Sequence, residues 1–218
     1  LAEADNAFDH WIFDLDNTLY PAECAIFDQM SVNMRAFIQS HLGASEEEAR
    51  ALQKHYFHNH GSTLRGLMVE HDVPPQDFLK VAHNVDLAGI APDPRLREAI
   101  SALPGRCLIF TSATVAHAEN ILSHLGIADL FEDIFDIHAA EYLPKPHPPT
   151  YDKMVERLGI TAERAIFFED VARNLEPAAA LGITTVWISG DSPWSGDGTD
   201  ESYVHHVAED LAEWLLTR

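Results

Sequence analysis

The chain has 218 residues, enough for one large domain or a domain with a smaller insert. Its 46% hydrophobic content suits an ordinary globular core, and no apolar run approaches the roughly 18 to 20 residues that cross a bilayer. With 14 basic and 35 acidic residues the formal charge is -21, and no Lys/Arg run offsets it locally, so nucleic acid polymers and anionic membranes are poor partners. A small phosphorylated metabolite remains open, because a bound metal and a few donors set the field inside a site. Residues 1–10 are polar and acidic, with neither a basic start nor an apolar stretch, so no signal peptide is expected. Cys24 and Cys107 lie far apart in no metal-ligand spacing, and Cys107 sits in an apolar run that suits a buried free thiol. Nothing here demands an oxidising compartment, and the cytoplasm is the expected location.

In chain order, Trp11-Ile12-Phe13 is a short apolar run that ends in Asp14-Leu15-Asp16-Asn17-Thr18. Such a run fits a strand buried on both faces. Pro21 to about Pro92 has no β-rich run but several helical patterns: Ile26 to His41, Ser45 to His58, Thr63 to His71 and Pro75 to His83. Ser45 followed by Glu46, Glu47 and Glu48 is a capping-box start with acids at the positive helix end. Pro92-Asp93-Pro94 marks a break. Apolar runs then return at Cys107–Phe110, Ile134–Ile137, Ala165–Phe168 and Thr184–Ile188. Helical patterns over Ala116–Leu125, Tyr151–Leu158 and Leu175–Leu181 separate them, each followed by glycine. Repeated strand–helix alternation predicts an α/β fold: a doubly wound parallel sheet, Rossmann-like, with an inserted all-helical cap. The expected division is a core of residues 1–20 and 93–218 and a cap of residues 21–92. Gly190 to Ser202 reads as a surface loop.

In an open parallel sheet, ligands bind beyond the carboxyl ends of the strands. Asp14 and Asp16 follow the first strand, Thr111-Ser112 the second, Lys145 the third and its loop, and Glu169-Asp170 closes the fourth. Phosphate-ester hydrolysis needs such a set. A carboxylate nucleophile divides the reaction into formation and hydrolysis of an aspartyl phosphate. A hard divalent cation, usually magnesium, takes oxygen ligands, which Asp14, Asp170 and the Asp16 carbonyl can supply. Thr111 or Ser112 and the Lys145 ammonium can hold phosphoryl oxygens. Asp16, two residues on, is placed to protonate the leaving group and then activate water.

Phe13-Asp14-Leu15-Asp16-Asn17-Thr18-Leu19-Tyr20-Pro21 resembles the first motif of the haloacid dehalogenase-like hydrolases. Thr111-Ser112 resembles the second, Lys145-Pro146 the third, and Phe168-Glu169-Asp170 with Asn174 the fourth. The order matches and the resemblance spans essentially the whole chain. Leu19-Tyr20-Pro21 and Gly61-Ser62-Thr63-Leu64-Arg65-Gly66-Leu67 are similar to the pyrimidine 5'-nucleotidase branch. The resemblance implies Asp14 as nucleophile and metal ligand, and Asp16 as general acid/base and backbone ligand. It implies Asp170 as direct metal ligand with Glu169 assisting, Thr111 as phosphate binder, and Lys145 steadying Asp14 and the phosphate. Ser112 stands where the second motif often has Asn, which touches a neighbouring hydrogen bond. Asp16 favours phosphoryl transfer over dehalogenation, since haloacid dehalogenases proper lack this second acid.

Each feature also has a plainer reading. Asp-x-Asp is common in turns, Lys145 alone reads as a solvated lysine, and Glu169-Asp170 or Thr111-Ser112 could cap helices. His55, His58 and His60 could support a transition-metal site, but no completing Cys or acid stands at ligand spacing, so solvated or substrate-facing imidazoles are expected. Asp191, Asp197 and Asp200 read as solvated loop acids, and Trp187, Trp194 and Trp214 as packing residues. Tyr56 and Phe57 could line a nucleobase pocket. The leading expectation is a magnesium-dependent phosphatase acting on nucleoside monophosphates such as UMP or CMP. Its rivals are a sugar-phosphate phosphatase, a phosphomutase, and a non-catalytic interaction protein on the same fold.

Overall fold

The computed structural model describes residues 8–190, 199 and 201–217. Its frame is a parallel sheet of β1 (His10–Phe13), β2 (Arg106–Phe110), β3 (Asp133–Phe135), β4 (Ala165–Glu169), β5 (Thr184–Ile188) and β6 (His206–Ala208). The strand order is β3-β2-β1-β4-β5-β6, the doubly wound α/β arrangement that the apolar runs imply. Every residue of β1 and β4 is buried, as strands covered on both faces must be.

Alternate residues feed opposite cores. Trp11, Phe13, Ile109, Ile166 and Phe168 pack with α5 (Pro94–Ser101), α6 (Val115–Leu125) and α9 (Leu211–Leu216). Ile12, Leu108, Phe110 and Phe167 pack with α7 (Pro148–Leu158) and α8 (Glu176–Ala180). Phe168 stacks on Phe13 at 4.8 Å between ring centroids, and Trp214 meets it edge-on at 5.2 Å.

Between β1 and α5 come α1 (Ile26–Leu42), α2 (Glu46–His60), α3 (Thr63–His71) and α4 (Pro75–Ala82). The Ser45 hydroxyl accepts from the Glu48 amide at 3.3 Å while Glu48 Oε2 accepts from the Ser45 amide at 2.8 Å, the reciprocal capping box. Phe37, Ile38, Tyr56, Leu67, Phe78 and Leu79 of these helices pack into a third core together with Ile137 from the segment after β3. Gly66 permits it: a Cβ there would lie 2.3 Å from the Tyr56 ring.

Two expected elements are shorter. The run to Ile137 ceases to be strand after Phe135, because Asp136 turns the chain by accepting from the amides of Val115 (3.1 Å) and Ala139 (2.9 Å). The helix expected from Leu175 is a 3-10 turn over Ala172–Leu175 leading into α8, and Pro177 in the first turn suits a helix start. Among the described residues no helix is long and apolar enough to cross a membrane. Asp191, Trp194, Asp197 and Asp200 lie outside the described residues.

Candidate active site

The strand order reverses between β1 and β4, which opens a crevice beyond their carboxyl ends. Asp14 directly follows β1, Thr111 follows β2, and Glu169 and Asp170 end β4. The Asp14 amide donates to the Phe168 carbonyl at 2.9 Å, so the sheet ladder itself fixes where the carboxylate emerges. Trp187 Nε1 donates to the Asp170 carbonyl at 2.8 Å and pins the other side.

Lys145 arrives from the loop before α7 and is buried between these strands. Its Nζ donates to Asp14 Oδ1 at 2.6 Å, Glu169 Oε2 at 2.6 Å and the Phe110 carbonyl at 3.1 Å. Asn174 donates to Glu169 Oε1 at 2.9 Å. A lysine read in isolation as solvated is thus the cation of the site. Burial weakens its hold on the proton, but the Asp14 and Glu169 carboxylates outweigh this and raise its pKa.

The carboxylates outnumber that cation. Oxygens of Asp14, Glu169 and Asp170 lie within 4.8 Å of one another, and all three residues are buried. Burial, then the Glu169 charge, push Asp14 up to about 7 despite Lys145. The same causes hold Asp170 well above the usual carboxylate range. Three buried acids facing one ammonium are short of positive charge, and their all-oxygen character fits a hard divalent cation.

Asp16 lies beside this cluster in a different setting. Its Oδ1 accepts from His117 Nε2 at 3.0 Å and from the Tyr20 hydroxyl at 2.6 Å. Burial pushes its carboxyl up, but His117 and Tyr20 together bring it below the ordinary value. The His83 ring, just after α4, stacks on His117 at 4.5 Å, and Thr114 Oγ1 lies 3.2 Å from His83 Nδ1. Sequence reasoning passed over His117 and His83. A signal for the first was present: His117 is four residues before Ile121, on the otherwise apolar buried face of an amphipathic helix.

A cavity of about 170 Å³ connects these groups with the inserted helices. Its floor holds Asp14, Asp16, Thr111, Ser112, Lys145, Glu169 and Asp170, the seven residues expected in catalytic, phosphate-binding or metal-binding roles. Thr111 Oγ1 also accepts from the Ala113 amide at 3.0 Å. The roof is apolar, made by Phe27, Met30, Met34, Phe57, Phe78 and Leu79, with Gln53, Thr63 and His83 as polar points. Phe57 lines it as expected; Tyr56 does not, being wholly buried in the helical core with its hydroxyl 2.7 Å from His71 Nε2. Gly61 brings the turn after α2 against Lys145: it has φ +82, and a Cβ there would lie 3.0 Å from the Lys145 carbonyl. Arg173 reaches across from the other side, its guanidinium 4.0 Å from the Phe57 ring centroid.

The profile of the haloacid dehalogenase-like hydrolases matches residues 8–182, and the chain belongs to that family. Phosphate metabolism protein 8 of Saccharomyces cerevisiae is 27% identical over 84% of this chain, which spans 62% of that protein's length. Glyceraldehyde 3-phosphate phosphatase of Methanopyrus kandleri is 28% identical over 81% of this chain and 82% of its own. A haloacid dehalogenase-like phosphatase of Thermococcus onnurineus superimposes with a TM-score of 0.62 at 20% identity, over 96% of this chain and 97% of that one, a likeness of fold.

Proposed function

We propose that the chain is a magnesium-dependent phosphate monoester hydrolase that works through an aspartyl phosphate on Asp14 and takes nucleoside monophosphates such as UMP or CMP. The observation that carries this reading is the buried Lys145 joining Asp14 to Glu169 beside Asp170, with Asp16 held separately by His117.

Asp14 attacks phosphorus, and the bond from phosphorus to the leaving oxygen breaks as Asp16 supplies that oxygen with a proton. Asp16 then takes a proton from water, whose oxygen attacks phosphorus and releases Asp14 and inorganic phosphate. Lys145 steadies Asp14 and the phosphoryl oxygens, and Thr111 and Ser112 offer hydroxyls to the latter. Asp14, Asp170 and the Asp16 carbonyl would hold magnesium, with Glu169 ordering its water. The bound ion offsets charge on the transferring group. Residues 21–92 would close as a cap over a core of 1–20 and 93–218, excluding water.

The apolar roof supports a leaving group with a flat, weakly polar face, and Gln53 and Thr63 offer the few polar partners a pyrimidine edge needs. A sugar-phosphate substrate is the second reading, favoured by the Methanopyrus relative's name. The partner is then a small phosphorylated metabolite in either case. A cytoplasmic location belongs to the same reading, consistent with Cys24 and Cys107 being free thiols.

The test is phosphate release from a panel of nucleoside monophosphates and sugar phosphates, with magnesium and with EDTA. Magnesium-dependent release led by UMP and CMP supports both parts. Release led by sugar phosphates overturns the nucleotidase assignment, and no release from any ester overturns the hydrolase assignment.

A further inference from the structure

The inserted helices hold a second convergence of ligand-type side chains. His55 and His60 lie on α2 and Glu70 on α3. Sequence spacing offers the histidines no acid; packing of α3 on α2 supplies one. His60 Nε2 is 2.6 Å and His55 Nε2 3.1 Å from the same atom, Glu70 Oε1, and the three ligand atoms lie within 4.8 Å of one another. The geometry points to a transition-metal site of the zinc class, formed by His55, His60 and Glu70 and clipping α2 to α3.

Two imidazoles beside one carboxylate make a set that Zn2+ takes readily, whereas Mg2+ prefers oxygen to imidazole nitrogen. Bonds of about 2.0–2.1 Å set tetrahedral ligand atoms about 3.3 Å apart, so small ring rotations convert this cluster into a coordination set. The competing reading is a carboxylate oxygen that accepts two N–H groups and needs no ion. What favours the ion is that both rings aim the same nitrogen, Nε2, at one point. Asn59 Nδ2 lies 3.0 Å from both His55 Nδ1 and the His55 carbonyl, so an ion on Nε2, which puts the ring proton on Nδ1, would displace the first of these contacts and keep the second. The His55 side chain is 50% exposed, which leaves an entry path and room for water as fourth ligand. A net charge of -21 concentrates cations around the whole molecule.

The clip would act at a sensitive place. His60 is the last residue of α2, its carbonyl accepts from His147 Nε2 at 3.2 Å, and Gly61, Ser62 and Thr63 directly line the cavity. An ion there would stiffen the turn that roofs the catalytic crevice, without entering the reaction.

The experiment titrates Co2+ into the chelator-stripped 218-residue chain in excess Mg2+, followed by visible absorption, with Zn2+ as competitor. The expected result is one Co2+ with the intense absorption of four- or five-coordinate cobalt, displaced by Zn2+. Its dissociation constant should rise at least tenfold in His60→Ala and Glu70→Gln and stay unchanged in Asp170→Asn. His55→Gln, at a half-exposed position, serves as a further variant, and circular dichroism establishes that each is folded. Absence of the band in the unsubstituted chain, its persistence in the folded His60→Ala and Glu70→Gln variants, or its loss in folded Asp170→Asn would overturn the site.

Discussion

His117 Nε2 and the Tyr20 hydroxyl converge on one oxygen of Asp16, at 3.0 and 2.6 Å. Neither donor uses Oδ2, which this arrangement leaves for the substrate's leaving oxygen. His117 therefore positions the proposed acid without touching the substrate. Removing it in His117→Ala should lower kcat by about 10- to 100-fold, less than the roughly 100- to 10,000-fold of general acid–base catalysis as a whole because Asp16 itself remains, with a smaller change in KM. His117→Gln, which keeps a donor, should recover part of the loss. Steady-state kinetics on the preferred ester would show it, and an unchanged kcat would remove His117 from the mechanism.

The stacked partner of His117 makes a different prediction, about stability. Burial, then repulsion from His117, lower the His83 pKa from 6.5 to about 4. Between those values the unfolded chain binds a proton that the folded chain refuses, so stability falls as pH falls from 6.5 towards 4. The full effect is about 3 kcal/mol. His117 has the opposite sign: its pKa is raised by Asp16 against the effect of burial, so its contribution is present below 6.5 and lost as pH rises through the folded value. Urea unfolding of the unsubstituted chain and His83→Asn at pH 7 and pH 4.5 separates them. The stability advantage of the unsubstituted chain should shrink on acidification; a constant difference would refute the assignment.

Lys145 compensates two buried acids, and its loss should be costly before any chemistry begins. Lys145→Met leaves Asp14 and Glu169 facing each other without a cation, a change of about 3–5 kcal/mol when a buried charge loses its partner. Denaturant unfolding in EDTA is the measurement. Added magnesium should restore part of the stability, because the same carboxylates are the proposed ligands. A variant as stable as the parent in EDTA would mean that the acids are already protonated.

Gly66→Ala should destabilise the inserted helices by about 1–3 kcal/mol, the usual cost of overpacking a well-packed core. The added Cβ meets the Tyr56 ring at 2.3 Å, and Tyr56 is wholly buried. A thermal midpoint at or above that of the parent would show that α2 and α3 can separate freely.

What the sequence revealed and what it hid divide along physical lines. Strands buried on both faces leave uninterrupted apolar runs, so β1, β2, β4 and β5 were legible, and with them the crevice and the carboxylates at their ends. The capping box at Ser45 is a local signal, and it located the start of α2; the helix runs to His60, two residues past the expected end at His58. Contacts that depend on tertiary packing were hidden. Nothing local separates Phe57, which lines the cavity, from Tyr56, which fills the helical core. Glu70 is ten residues from His60 and reaches it only because α3 folds back on α2. The short strand β6 and helix α9 were too brief to give a period. Nothing local in Leu19-Tyr20-Pro21 signals that the Tyr20 hydroxyl reaches Asp16.

The central claim is that phosphate passes through Asp14. The most direct measurement mixes enzyme with its preferred ester and magnesium, quenches in acid within a turnover, and reduces with borohydride, which converts an acyl phosphate to the alcohol. Peptide mass spectrometry then locates the reduced residue. The expected result is homoserine at position 14, increased in Asp16→Asn if that variant still transfers phosphate but hydrolyses the adduct slowly, and absent in Asp14→Asn together with turnover. Full turnover by Asp14→Asn, or a reduced residue elsewhere in the chain, would contradict it.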